Sequence, residues 1–385
     1  MELTRIIHPV GQGGFYSETL KYGSDEINVI YDCGGNDKTA MTYYLDNYYP
    51  NKTRAIDAVF ISHLHDDHIN GLEHLLKNYN VKYLFLPQMT SDEQLEVLLF
   101  NSIVNGSGVN ANYLFLLDLM NNDDSLRQRE TKIIRVQRNT GEGEGLNMEI
   151  DDNNSYEISG YQINNNVIKS GSKIHFNKKW FYIPYNPPLK IRKNIGFFDF
   201  FKRELNLVNF ELEELPNVIY NVGIDTCKKV YEKYFDKNHN AYSMVLFSGT
   251  VRFRPYLHCC DECIWFHRKI ICPHHRLMYK KNGFCGSPNC LYTGDFDIEK
   301  FDRMQSFYKP FWETIGSIQV PHHGSRNNYS PELYEYAHRG FISVGERNKY
   351  HHPNVDTLIG IQGMDCNPVI VTESLSTMKM YHYLL

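Results

Sequence analysis

The sequence predicts an elaborated α/β domain whose short buried strands stop at clusters of metal-binding side chains. Three observations carry that expectation. Ala58-Val59-Phe60-Ile61-Ser62 has the β-branched and aromatic content of a buried strand and runs directly into His63-Leu64-His65-Asp66-Asp67-His68. Leu291-Tyr292-Thr293 ahead of Gly294-Asp295, and Ile318-Gln319-Val320 ahead of Pro321-His322-His323-Gly324-Ser325, repeat the arrangement further along. A chain of 385 residues with 42% hydrophobic content can bury a large core, and no internal repeat or long low-complexity linker divides it.

The first cluster is the most specific. His63 and His65 alternate off one strand end and point the same way, while Asp67 and His68 open the helix that follows. Three imidazoles and a carboxylate this close together outline a dinuclear site, with donors suited to zinc, manganese or iron. A pair of ions needs a bridging carboxylate and another histidine from distant strand ends. Asp295 offers the first; His322, His323 and, after the run Phe341-Ile342-Ser343-Val344, His352 offer the second. Residues 92–101, 198–205 and 226–234 read as helices, the last two within an insertion that walls the cleft, and 121–131 and 141–154 read as loop and turns.

His-x-His-x-Asp-His after a strand resembles the metallo-β-lactamase superfamily. Val10-Gly11-Gln12-Gly13-Gly14, Ile30-Tyr31-Asp32-Cys33-Gly34-Gly35, Asn240-Ala241-Tyr242-Ser243-Met244-Val245-Leu246, the Pro-His-His-Gly-Ser block and Gly345-Glu346-Arg347-Asn348-Lys349-Tyr350-His351-His352-Pro353 narrow the branch. Together they are similar to the soluble hydrolase domain of the competence DNA-uptake (ComEC-type) proteins. The resemblance implies a four-layer αββα sandwich, built from residues 1–385 as one domain, with the strand-end ligands along one edge. It makes His63, His65, Asp67, His68 and Asp295 metal ligands, with His322 and His352 as further ones. Which histidine of the 322–323 pair binds metal stays open. His323, or His352 where it is not a ligand, would protonate the leaving group. Asp67 counts among the catalytic residues because the nucleophilic hydroxide needs both metals, and Asp32 would sit beneath the site and orient a ligand or water. Two departures stand out. Gly14 occupies the place of the family's acid, and the mid-chain histidine of many relatives is missing, so the Pro-His-His block is expected to replace it. His175, inside Lys173-Ile174-His175-Phe176, reads as a packed or surface strand residue.

Six of the nine cysteines fall between Cys259 and Cys290. Cys260-x-x-Cys263 with Cys285 and Cys290 has the spacing of two knuckles closing on one tetrahedral structural zinc, with Cys259, Cys272, His274 and His275 as spare donors. Residues 250–290 therefore read as a zinc-ribbon-like extension, inserted between two strands that the resemblance makes adjacent. It carries Arg252, Arg254, Arg268, Lys269, Arg276, Lys280 and Lys281 against Asp261 and Glu262, with Tyr256, Trp265 and Phe266 interleaved. In a chain of net charge -5 this is a local reversal of sign. Basic residues mixed with aromatics suit nucleic-acid phosphates and bases, or else form a solvated face.

These readings converge on a metal-dependent hydrolase with two divalent ions, zinc before manganese, that activate a shared hydroxide. Phosphodiester cleavage in nucleic acid is the first expectation. The alternative is a small-molecule hydrolase acting on a cyclic nucleotide, a phosphoester or a lactone, and a third reading is a metal-stabilised scaffold without turnover. No run approaches the roughly 18 apolar residues of a membrane span, and residues 1–10 lack the features of a signal peptide. A cytoplasmic location is expected, in line with cysteines that do not form a secretory disulfide pattern.

Overall fold

The computed structural model describes residues 1–51, 54–104, 111–121, 131–139, 155–159, 163–188, 196–235, 243–250, 258–260 and 287–385. In chain order the strands are β1 (Glu2–Ile7), β2 (Phe15–Tyr22), β3 (Asp25–Cys33), β4 (Ala55–Phe60), β5 (Asn80–Pro87), β6 (Lys132–Val136), β7 (Ser155–Glu157), β8 (Val167–Ile168) and β9 (Lys173–Phe176). They continue with β10 (Trp180–Tyr185), β11 (Val245–Gly249), β12 (His258–Cys260), β13 (Cys290–Tyr292), β14 (Ser317–Gln319), β15 (Arg339–Ser343), β16 (Asn367–Val371) and β17 (Lys379–Leu384). One sheet has the order β12-β17-β1-β2-β3-β4-β5-β6-β8, the other β16-β15-β14-β13-β11-β10-β9-β7.

Apolar residues sort into three layers, and those layers define the architecture. Tyr16, Phe60, Trp180, Tyr182 and Tyr292 pack between the sheets. Leu75, Leu98, Phe201 and Val230 pack on the outer side of the first sheet, beneath helices Leu72–Asn78, Ser91–Leu99, Phe197–Glu204 and Ile224–Tyr234. Phe247, Leu291, Met304 and Ile361 do the same on the second sheet, beneath helices Phe301–Phe307 and Val355–Gly363. Strand alternation produces the sorting: Leu246 and Tyr292 face inward while Val245, Phe247 and Leu291 face outward. Helices over two facing sheets make the four-layer αββα sandwich of the metallo-β-lactamase fold.

Strands β3 to β6 run parallel, as do β13 to β16. Parallel strands release their carboxyl ends at one edge, the usual place for a ligand site in such sheets. Asp32 near the end of β3, His63 after β4, Asp295 after β13 and His323 after β14 therefore meet there, although they are far apart in the chain.

The expected helices form as Ser91–Leu99, Phe197–Glu204 and Ile224–Tyr234. His175 lies in β9, buried, with Nδ1 2.9 Å from Glu157 Oε2. Strands β11 and β13 are antiparallel neighbours, with Leu246 opposite Tyr292. Most of the extension between them, including Cys263, Cys285 and every basic side chain named above, lies outside the described residues, as do Asn240, Tyr242 and 141–154. Cys290 is fully buried between the sheets, where burial pushes its thiol up to about 12. The backbone of β12, which carries Cys260, pairs with β17 in the other sheet. Among the described residues no helix is long and apolar enough to cross a membrane.

Between the sheets lies one buried polar knot. Glu18 accepts from Arg5 Nε at 2.7 Å, Tyr292 at 2.8 Å, Tyr182 at 2.9 Å and Ser248 at 2.6 Å. A buried carboxylate is tolerated when its lone pairs are satisfied in this way.

Candidate metal centre

Strand β4 ends at Phe60, and the loop that follows is clamped from both sides. Asn101 donates to the Leu64 carbonyl at 2.8 Å and accepts from the Asp66 amide at 3.0 Å. Ser62 donates its amide to Asp32 Oδ1 at 2.7 Å and its hydroxyl to Asp32 Oδ2 at 2.8 Å. Asp32 is fully buried in a left-handed backbone conformation, φ 56°. Its Oδ2 also accepts from His68 Nδ1 at 2.8 Å. Gly14 packs against this group: a Cβ there would lie 2.9 Å from Asp32 Oδ2 and 3.0 Å from His68 Nδ1, so no acidic side chain fits.

Asp295 is delivered by a tight turn in which Gly294 has φ 54°, a conformation glycine adopts without strain. Gln319 Oε1 accepts from the amides of Thr293 and Gly294, both at 3.0 Å, and Ser243 Oγ accepts from the Asp295 amide at 2.9 Å. His322 and His323 have φ of 47° and 55°, two successive left-handed residues. The His322 amide donates to the Gly294 carbonyl at 3.1 Å and His323 Nδ1 donates to the Ser343 carbonyl at 2.9 Å, which holds the strained turn in place.

The ring tautomers follow from these bonds. A carboxylate and a carbonyl only accept, so His68 and His323 carry their protons on Nδ1. Ser62 Oγ already donates to Asp32 and accepts from His63 Nδ1 at 2.9 Å. All three rings turn a bare Nε2 inward, the tautomer a metal ligand needs. His68 Nε2 lies 3.3 Å from Asp295 Oδ1 and 3.9 Å from Asp67 Oδ2; His323 Nε2 lies 3.7 Å and 3.3 Å from the same two atoms. His63 Nε2 and His322 Nε2 are each 3.9 Å from Asp295 Oδ2, and His65 Nε2 is 3.7 Å from Glu96 Oε1. Two donor groups result, His63 with Asp67 and His68, and His68 with Asp295 and His323, each with its ligand atoms within 4.8 Å.

Nε2 of His63, His65, His68 and His323 and Oδ1 of Asp295 are buried without a hydrogen-bond partner. Convergent, buried, unsatisfied donor atoms of this chemistry fit divalent ions. The electrostatics agree. Burial opposes a proton on His68 and His323, yet the facing carboxylates raise both rings above the ordinary histidine value, and those are protons a cation would displace. The histidines in turn hold Asp295 well below the usual carboxylate range against its burial, and burial keeps His63 well below the usual histidine value.

All of His63, His65, Asp67, His68, Asp295, His323 and Asp32 are thus brought together. His352 is not: it stands behind His322, ring centroids 5.8 Å apart, where burial lowers it to about 4. The clamps Asn101, Gln319 and Ser243 carry no sequence signature of their own.

A buried carboxylate among strand-end histidines, on this sandwich, makes a candidate metal site in a protein of the metallo-β-lactamase fold. A family model described as Anti-Pycsar protein Apyc1 matches residues 14–140, the segment holding Asp32 and His63 to His68. No curated protein matches. Similar solved structures include the metallo-beta-lactamase fold protein YhfI from Bacillus subtilis, 10% identical over 99% of both chains with a TM-score of 0.38. Unliganded yeast PDE1 is also similar, 10% identical over 99% of this chain and 100% of that one, with a TM-score of 0.39.

Proposed function

We propose that the chain is a two-metal phosphodiester hydrolase. The observation that carries this reading is Asp295, whose two oxygens face different donor sets: Oδ2 looks toward His63, Oδ1 toward His68 and His323. One ion would be held by His63, His65 and Asp295, the other by Asp67, His68, Asp295 and His323. Ions so placed would acidify a shared water and neutralise charge on the substrate's oxygens. Asp32 keeps His68 in its ligand tautomer. His323 is occupied as a ligand, so His322, 28% exposed beside Asp295, is the group free to protonate the leaving oxygen.

A small pocket opens beside His63 and His65, lined also by Pro87, Met89 and Glu96. We read the substrate as a phosphodiester, either a small one such as a cyclic nucleotide or nucleic acid, the latter supported by the basic composition of 252–281. From the name of the matched family we add that the chain counteracts Pycsar.

Protein stripped by chelation and reloaded with zinc or manganese should hydrolyse bis-p-nitrophenyl phosphate and cyclic nucleotides only when loaded. Oligonucleotides turned over faster than cyclic nucleotides would favour the nuclease reading. No metal-dependent turnover of any of them would refute the hydrolase.

A further inference from the structure

Resting on that two-ion reading, we propose that Glu96 supplies the donor missing from the His63 and His65 side, and that Tyr231 positions it. With His323 drawn to Asp67 and Asp295 and His322 assigned to the leaving group, the ion on the His63 side would have two imidazoles and one oxygen of Asp295 among the described residues, and a fourth donor would complete it.

Glu96 sits one helical turn after Glu93 on helix Ser91–Leu99, and the two glutamates are used differently. Glu93 caps its own helix, accepting from the Thr90 amide at 2.9 Å, and pairs with Arg138. Glu96, 3% exposed, also lines the pocket, on the side of His65. His65 is pinned by stacking on Phe100, centroids 4.1 Å apart and planes at 15°, with its Nε2 3.7 Å from Glu96 Oε1. That separation is too long for a hydrogen bond. It suits two atoms on one ion, since bonds of about 2.1 Å closing at a tetrahedral angle hold their ends roughly 3.4 Å apart. His63, His65 and Glu96 line the same pocket.

Tyr231, on helix Ile224–Tyr234, donates to Glu96 Oε1 at 2.9 Å. A hydrogen bond from outside the ligand set fixes the carboxylate's direction. Helix Ser91–Leu99, which lines the pocket, would thus also complete the metal site, with Tyr231 from a second helix holding its glutamate.

Cobalt titration by visible absorption and metal counting after dialysis, on the full chain, test this. Wild type should take up two ions. Glu96→Ala and Glu96→Gln should hold one ion as wild type does and the other at least about tenfold more weakly, while Tyr231→Phe should weaken that same ion by about tenfold. Unfolding midpoints of the metal-free proteins control for folding, and Glu96→Gln preserves side-chain volume and the bond from Tyr231. Two ions bound at wild-type affinity by both Glu96 variants would overturn the role of Glu96. A wild type that binds fewer than two ions would sink the two-ion reading itself, whatever the variants do.

Discussion

Asp32→Asn isolates one hydrogen bond on which the whole centre depends. Asparagine tolerates the left-handed backbone at this position and matches aspartate in size, so the fold is not the variable. The carboxylate accepts three bonds, from the Ser62 amide, the Ser62 hydroxyl and His68 Nδ1. An amide cannot accept at both ends. If its oxygen keeps the Ser62 amide, its NH2 confronts His68 Nδ1–H, and the ring must move its proton to Nε2, the atom that faces Asp295. If the amide turns round, the Ser62 N–H is left buried and unmet, at about 1 to 3 kcal/mol. Either way the ligand tautomer is lost or the fold pays, and metal affinity should fall about 10- to 100-fold, roughly 1.4 to 2.8 kcal/mol. Zinc competition against a chromogenic chelator measures the affinity, and a melting curve of the metal-free protein follows the fold. Affinity and turnover within twofold of wild type would refute the tautomer argument.

Three further outcomes follow from the geometry. His323→Ala should lose an ion, whereas His322→Ala should keep both and lose about a hundredfold in turnover of an alkyl diester, but far less with nitrophenolate, which needs no proton; equal losses on both substrates would count against His322 as the acid. Glu18→Ala strands Arg5, which is wholly buried, and should destabilise by about 3 to 5 kcal/mol in urea unfolding; a loss below about 1 kcal/mol would mean the knot relaxes. His8 is fully buried between Tyr44 Oη at 2.8 Å and Ser17 Oγ at 2.7 Å, and burial lowers it to about 3. Its neutral form is the folded form, so its contribution is complete above the unfolded value near pH 6.5 and is lost as pH falls toward 3. Between pH 6.5 and 5 wild type should lose about 2 kcal/mol more than His8→Gln, and parallel stability curves would contradict this.

The sequence by itself determined the elements whose causes are local. Strand alternation and a helix start act over a few residues, so the register of His63, His65, Asp67 and His68 at the end of β4 was legible, as were Gly294-Asp295 and the histidines after β14 as strand-end donors. The resemblance supplied the αββα layers, and the structure has them. What lay beyond reading was decided by sheet order and packing. Asp32 is the partner of His68 because β3 and β4 are parallel neighbours. The choice of His323 over His322 for the inner position came from two left-handed residues held by the Gly294 and Ser343 carbonyls, contacts that exist only once β13, β14 and β15 are side by side. Cys290 reads in sequence as a zinc donor, and its burial between the sheets comes from the inward register of β13. Glu96 reads in sequence as one more helical glutamate. Only the docking of Tyr231, distant in the chain, and the aim of His65 against Phe100 make it a buried carboxylate at the pocket, because burial is a property of the assembled layers and not of any single helix.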